Sequence, residues 1–321
     1  MKRKIIKIVL WVLLALVVLF AISVARNWET IQRVFLGGVK VYETVPPKLP
    51  AEMKRPAVLV FSKTNGFRHE EAIPAANAMF AAMARESGWG HFQTENGATF
   101  SPEILSRFDA VVFNNVSGDV FTPEQRAALK AFLENGGGFV GIHGAGGDRT
   151  HDWRWYVDEV IGAGFIGHPM DPQFQRAVLE RKDAAHPATR GLPARWSRTD
   201  EWYSFDKAVR APKFHVLLTL DERTYANKEM MGQDLAMGAE HPIAWWHCVG
   251  KGRALYSALG HQASAYAEPE YRTILAGALA WALKQEGSGC NAPAPAAAPA
   301  PSAAAGPAPA AGPVRVKEGV K

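Results

Sequence analysis

Cysteine is nearly absent from this chain: 321 residues contain two, Cys248 and Cys290. Neither stands in a Cys-x-x-Cys-His haem motif or at a zinc-ribbon spacing, which excludes those thiol-built sites. Cys248 falls in an apolar strand pattern and Cys290 in a tail of different composition. They read as two unrelated thiols, neither in the turn context of a nucleophile. Basic clusters interleaved with aromatics are also missing from the central part of the chain. The net charge of +5 owes much to the ends, through Lys2, Arg3, Lys4, Lys7, Arg315, Lys317 and Lys321. No nucleic-acid partner is expected. No internal repeat is visible.

Long apolar runs are scarce too, with one exception. Ile8 to Ala25 is apolar apart from Ser23, behind a basic flank. A secretory signal needs an apolar stretch of roughly 7–15 residues and a spanning helix roughly 17 or more. The run reads as a single-pass signal anchor over residues 1–26, with the domain on the periplasmic, extracytoplasmic side. A signal cleaved near Ser23-Val-Ala25, giving a secreted protein, is the alternative. Residues 27–54 read as a juxtamembrane helix, striped by Trp28, Ile31, Phe35 and Leu36, and a linker marked by Pro46, Pro47 and Pro50. Residues 55–286 form the domain. Residues 287–321 are an Ala/Pro-rich tail with too little apolar bulk to fold alone.

Within the domain, short apolar runs alternate with helical patterns. Strands are expected at 57–62, 92–95, 109–114 and 138–143. Helices are expected at 73–87, from Ser101 to near Arg107, and from Thr122 to Asn135, with Gly88 and two Ser/Thr-Pro pairs as end signals. This alternation predicts an α/β fold with a doubly wound, mostly parallel sheet. Further on, strands are expected at 175–179 and 214–220. A hairpin (242–249, 253–259) turns at Gly250-Lys-Gly252, and a closing helix spans 270–283.

The segment Gly136 to Gly147 (GGGFVGIHGAGG) carries the most information. An apolar strand ends in a glycine-rich turn, the kind that elsewhere lifts a Ser or Cys nucleophile above a sheet. Here the tip is His143, suited to metal ligation or proton transfer rather than covalent attack. In an open α/β sheet, ligands bind beyond the carboxyl ends of strands. The polar groups expected there are His69 and Glu70, Asn114 and Asn115, His143 with Asp148, His151, Trp153 and Trp155, and Gly260-His261. Further words are Gly167-His168-Pro169, His186-Pro187 and His241-Pro242, of which His186 reads as loop punctuation. Asp200-Glu201-Trp202-Tyr203 sets two carboxylates beside two aromatics, a combination that suits sugar rings.

These words together resemble the trehalose-utilisation (ThuA-like) family of the class I glutamine-amidotransferase-like, or flavodoxin-like, superfamily. The matching stretches are Lys63 to His69, Gly136 to His143, Gly167-His168-Pro169, His186 to Pro193, Asp200 to Tyr203, His241 to Trp245 and Gly250 to His261, within roughly Arg55 to Leu283. The resemblance implies that His143 stands where amidotransferases carry their cysteine and His261 near their catalytic histidine. Without the thiol, glutamine amidotransfer is not expected. The family is linked to catabolism of trehalose-like disaccharides through 3-keto sugars.

The function expected is an exported, membrane-anchored enzyme acting on a sugar or keto-sugar, its reaction type open. The alternative is a non-catalytic carbohydrate-binding module; a partner-docking protein ranks last. Catalytic residues are expected to be His143, His261 and Glu201. Substrate contacts are expected from His69, Asn114, Trp153, Asp200, Trp202 and Tyr203. A divalent metal, zinc or manganese, is expected on His69, His143, His168 and His261, because imidazoles with one carboxylate suit such ions.

Overall fold

The computed structural model describes residues 2–148, 151–227 and 232–290. Two helices come first, α1 (Lys2–Arg26) and α2 (Trp28–Phe35). The domain follows as β1 (Ala57–Phe61), α3 (Ala72–Ser87), β2 (Gly90–Thr94), α4 (Pro102–Leu105), β3 (Ala110–Asn114), α5 (Pro123–Glu134) and β4 (Gly138–Ile142). It continues through β5 (Phe165–Gly167), β6 (Phe174–Arg181), β7 (Arg195–Glu201), β8 (Ser204–Phe205), β9 (His215–Asp221), β10 (Pro242–Val249), β11 (Gly252–Ser257) and α6 (Pro269–Ala282). Nine strands make one sheet in the order β2-β1-β3-β4-β11-β10-β9-β6-β7, while β5 and β8 pair separately.

The sheet has two halves. From β2 to β11 all neighbours are parallel. Beyond β11 every pairing is antiparallel. β1, β3 and β4 are buried along their whole length, as strands covered by helices on both faces must be. Each fully buried Leu or Val there is worth about 1.5–3 kcal/mol relative to exposure. Phe61, Phe100, Phe113 and Phe121 form an aromatic cluster above these strands. The helices end as their sequences direct. Gly88 takes the left-handed conformation after α3, and Thr122 with Gln125 closes a reciprocal capping box on α5.

Two features lie beyond the sequence reading. β7 reads as a polar segment (Arg195-Trp-Ser-Arg-Thr-Asp-Glu201) because it is the outermost strand of the sheet. The two cysteines, expected to be unrelated thiols, are joined as a disulfide with Cα atoms 5.5 Å apart. The reason is the path of the chain after α6. Arg253 Nη1 donates to Glu286 O (3.1 Å) and Trp281 Nε1 to Ser288 O (3.2 Å), which carries Cys290 back to β10.

The part expected as a linker is held to the domain. Val39 N donates to Asn65 O (2.7 Å), Tyr42 Oη to Asp119 (2.6 Å), and Gln125 Nε2 to Glu43 O (2.8 Å), while buried Lys63 pairs with Glu43. Arg33 Nη1 donates to Thr64 O at 2.6 Å, so α2 is tied to the same edge. The segment Arg3–Arg26 is long and apolar enough to cross a membrane, and its most apolar stretch is wholly unburied. It has the form of a signal anchor or a signal peptide. From residue 291 the Ala/Pro-rich tail lies outside the described residues.

Candidate active site

The carboxyl ends of β1, β4 and β11 point to one edge, because those strands are parallel. His69 follows β1 by a loop, His143 follows β4 directly, and His261 follows β11. Four antiparallel steps separate β11 from β7, so β7 again runs in the same direction and its last residue, Glu201, reaches the same edge. The wing also curls back. Asp200 accepts from Gly260 N (2.8 Å) and His261 N (3.1 Å), although three strands lie between β7 and β11 in the sheet.

At this junction four side chains converge. His143 Nε2 lies 3.1 Å from His261 Nδ1 and 3.3 Å from Glu201 Oε2, which is 3.0 Å from His261 Nδ1. His69 completes the group, and the four ligand atoms all lie within 4.8 Å of one another. The His69 ring sits 4.7 Å from that of His143 and 4.6 Å from that of His261, and its buried Nδ1 has no hydrogen-bond partner among the described residues. His168 Nε2 approaches the other oxygen of Glu201 at 3.3 Å, beside Gln173.

Backbone and surroundings hold this geometry. His143 has φ +44°, a left-handed conformation that costs a side-chain-bearing residue energy and is retained where the surroundings enforce it. Tyr256 Oη donates to His143 O (2.8 Å), and His143 Nδ1 donates to Ala258 O (2.7 Å). That second bond assigns a proton to Nδ1 and turns Nε2 toward the cluster. The Tyr203 ring stacks on His143 with centroids 4.2 Å apart. Gly144 admits His69, since a Cβ there would lie 3.1 Å from its ring. Gly260, at φ +112°, could not carry a Cβ, which would meet Tyr266 Oη at 2.7 Å.

Burial sets the charges. It pushes His69 well below the usual imidazole range, reinforced by His143 and His261. It also lowers His168, against the opposing pull of Glu201. In Glu201 burial acts upward, yet hydrogen bonds from His143 and His261 and the charges of His143 and His168 outweigh it and hold the carboxyl far below its ordinary value. The floor is thus an anionic carboxylate among imidazoles, His69 and His168 being neutral at pH 7.

Above this floor lies a cleft of about 700 Å³, lined by His69, His168, Glu201, Tyr203 and His261, and on its outer side by Phe67, Met170 and part of α2. The structure brings together His69, His143, His168, Glu201 and His261. Tyr203 joins them as a wall. Four residues expected to contact substrate are elsewhere. Asn114 is buried and donates to Ile73 O and Asn77 Oδ1 (both 3.0 Å). Trp202 is fully buried, its Nε1 donating to Gln175 O (2.9 Å). Asp200 is buried against Arg198 (3.0 Å) and fixes the backbone of Glu201 and His261 rather than facing the cleft. Trp153 packs on Phe121, Trp155 and Tyr156 outside the cleft. The wall residues Gln173, Phe67 and those of α2 carry no sequence signal for a site, being single polar or apolar residues in loops and a short helix.

The fold is a mostly parallel α/β sheet with a glycine-rich elbow after β4 and a histidine after β11, and the elbow carries an imidazole rather than a thiol. A family model described as trehalose utilisation (ThuA) matches residues 57–282, and the chain belongs to that family. Among solved structures, it resembles a ThuA-like protein from Bacteroides uniformis ATCC 8492, with 24% identity, a TM-score of 0.61, and coverage of 74% of this chain and 95% of that one. A second, from Parabacteroides merdae ATCC 43184, has 19% identity, a TM-score of 0.54 and coverage of 73% and 91%. These likenesses concern the fold. No curated protein matches the sequence.

Proposed function

We propose that this protein is an exported, membrane-anchored enzyme acting on a trehalose-like sugar or its keto derivative, with a divalent metal held by His69, His143, Glu201 and His261. The observation that carries the reading is the spacing of ligand atoms at the cleft floor. A tetrahedral ion with bonds of about 2.0–2.1 Å requires ligand-to-ligand edges of roughly 3.3 Å. Three of the four atoms already stand at 3.0–3.3 Å, and a ring nitrogen of His69 lies within 4.8 Å of each of them. Imidazoles with one carboxylate suit zinc or manganese. When bound, such an ion polarises a carbonyl or acidifies a neighbouring hydroxyl.

The side chains have separate tasks in this reading. Glu201 supplies negative charge. The Ala258 carbonyl and the Tyr203 ring orient His143. His168, at the other oxygen of Glu201, is placed to meet a substrate hydroxyl. The sugar assignment draws on the family. The enzymatic reading is favoured over a sugar-binding module because the tryptophans of the expected platform are missing from the cleft, with Trp202 buried and Trp153 outside, while titratable groups crowd its floor. A thiol reaction is not part of the proposal, since the elbow carries imidazole and both cysteines are in a disulfide.

Export is supported by α1 and independently by that disulfide, because such bonds persist in oxidising compartments. Alkaline phosphatase fused after Cys290 should be active; an inactive fusion would reject export. For the reaction, full-length protein is incubated with trehalose and 3-keto-trehalose and followed by NMR. Conversion of either by the wild type, abolished in His143→Ala, is expected. Turnover unchanged in His143→Ala would overturn the assignment.

A further inference from the structure

We propose that the cleft opens at the membrane surface and takes an amphiphilic glycoside, its sugar head on the histidine–carboxylate floor and its hydrocarbon tail along α2. This deepens the sugar reading above and rests on it, and on α1 being retained as an anchor.

The wall of the cleft changes character from floor to mouth. Below are Glu201 and the histidines. Around the mouth stand Val34 and Phe35 from α2, Phe67 from the loop after β1, and Met170 from the loop after β5. They are 45%, 72%, 49% and 56% exposed. Single exposed apolar side chains are ordinary on a protein surface; four from three segments around one opening form a patch, which marks an apolar ligand or surface. A free disaccharide has little hydrocarbon to cover them.

The position of α2 says what covers them. Only Asn27 separates it from α1, and helical hydrogen bonds run through the joint, Asn27 N to Ser23 O (3.1 Å) and Ile31 N to Asn27 O (2.9 Å). Eight residues at about 1.5 Å rise place the mouth within roughly 12 Å of the end of the apolar span, about twice the depth of one headgroup layer and within reach of a lipid-like tail. Trp28, at the joint, is 48% exposed, and Trp is a residue of membrane interfaces. The Arg33 bond to Thr64 and the docked segment 39–45 fix this arrangement to the domain. Half of this wall, Val34 and Phe35, is therefore supplied by a segment N-terminal to the span matched by the family model, 57–282.

The test uses full-length protein in lipid nanodiscs, titrated calorimetrically with trehalose and with 6-O-lauroyl trehalose, against Val34→Ser/Phe35→Ser/Met170→Ser in the same nanodiscs. The readout is the ratio of the two affinities, so a general loss of binding cancels. The ester should bind the wild type at least about 10-fold more tightly, as expected when several methylenes are buried, and the ratio should fall to within about 3-fold in the variant. Trehalose binding without any ester preference would overturn the inference and leave the sugar reading standing. A preference that survives in the variant would assign it to the bilayer and overturn the inference likewise. Absence of binding by both probes would remove both readings. A dimer that the triple substitution dissociates would assign the patch to a second copy instead.

Discussion

The two halves of the sheet contribute to the site in different ways. In the parallel half, β1, β3 and β4 are short buried runs, and a polar loop follows each on the same edge. The histidines His69, His143 and His261 come from such loops. In the antiparallel wing, β7 is an edge strand rich in charge, yet it delivers Glu201 and, through buried Asp200, fixes both Glu201 and His261. One half supplies the three imidazoles of the cluster, His69, His143 and His261. The other supplies the negative charge and the alignment. The site exists only where the wing closes on the parallel half.

Removing the wing's carboxylate tests this most severely. Glu201→Gln keeps the shape but loses the charge, and should abolish metal retention and lower turnover by about 100-fold or more, given that even residues behind the ligands cost 10–100-fold. Metal analysis and steady-state kinetics on the folded variant check it. Near-normal turnover would mean that the parallel half suffices.

Asp200→Asn should be next. It leaves the buried guanidinium of Arg198 with only Glu268, 3.4 Å from its Nε, as countercharge, which should cost somewhat less than the roughly 3–5 kcal/mol of a fully broken buried pair, and should weaken metal binding by about 10–100-fold. Urea denaturation and zinc titration separate the two effects. Stability lost with metal affinity unchanged would make Asp200 a purely structural residue.

Cys248→Ser and Cys290→Ser should reduce stability by about 2–4 kcal/mol, the usual range for closing such a loop, and leave turnover intact, because the bond joins β10 to the segment after α6, away from the elbow. Loss of turnover in a folded variant would restore a thiol mechanism.

A further effect, outside the site, concerns acid. Burial lowers His186 and His247, both of the wing, from 6.5 to about 4. Their folded pKa is depressed, so the unfolded chain takes up the proton first. Stability should be full above about pH 6.5 and fall as pH drops towards 4, by about 3 kcal/mol per histidine. Urea midpoints measured across this range check the sign. His247→Gln should flatten the profile; an unchanged profile would place the acid sensitivity elsewhere.

The contrast also explains what could be read from sequence. Buried parallel strands announce themselves as apolar runs with glycine and Ser/Thr-Pro punctuation, and residues at their ends can be assigned to one edge by topology alone. That suffices for His143 and His261. The role of Asp200 could not be read, because adjacent residues on a strand face opposite sides, and only the curling of the wing decides that Glu201 meets the cleft while Asp200 and Trp202 turn inward. The disulfide was hidden by a compositional change at 287 that conceals a chain still docked as far as Cys290. The wall from α2 was hidden because Arg33 and Phe35 read as part of a helix following an anchor.

The account stands on a metal bound between the two halves. The most direct measurement is the metal content, by elemental mass spectrometry, of full-length protein purified without chelators or metal-affinity resin, with Glu201→Gln alongside. The account predicts about one zinc or manganese per chain in the wild type and almost none in the variant. A folded wild-type protein that is metal-free and takes up neither ion on titration would contradict it, as would a Glu201→Gln protein that retains as much metal as the wild type.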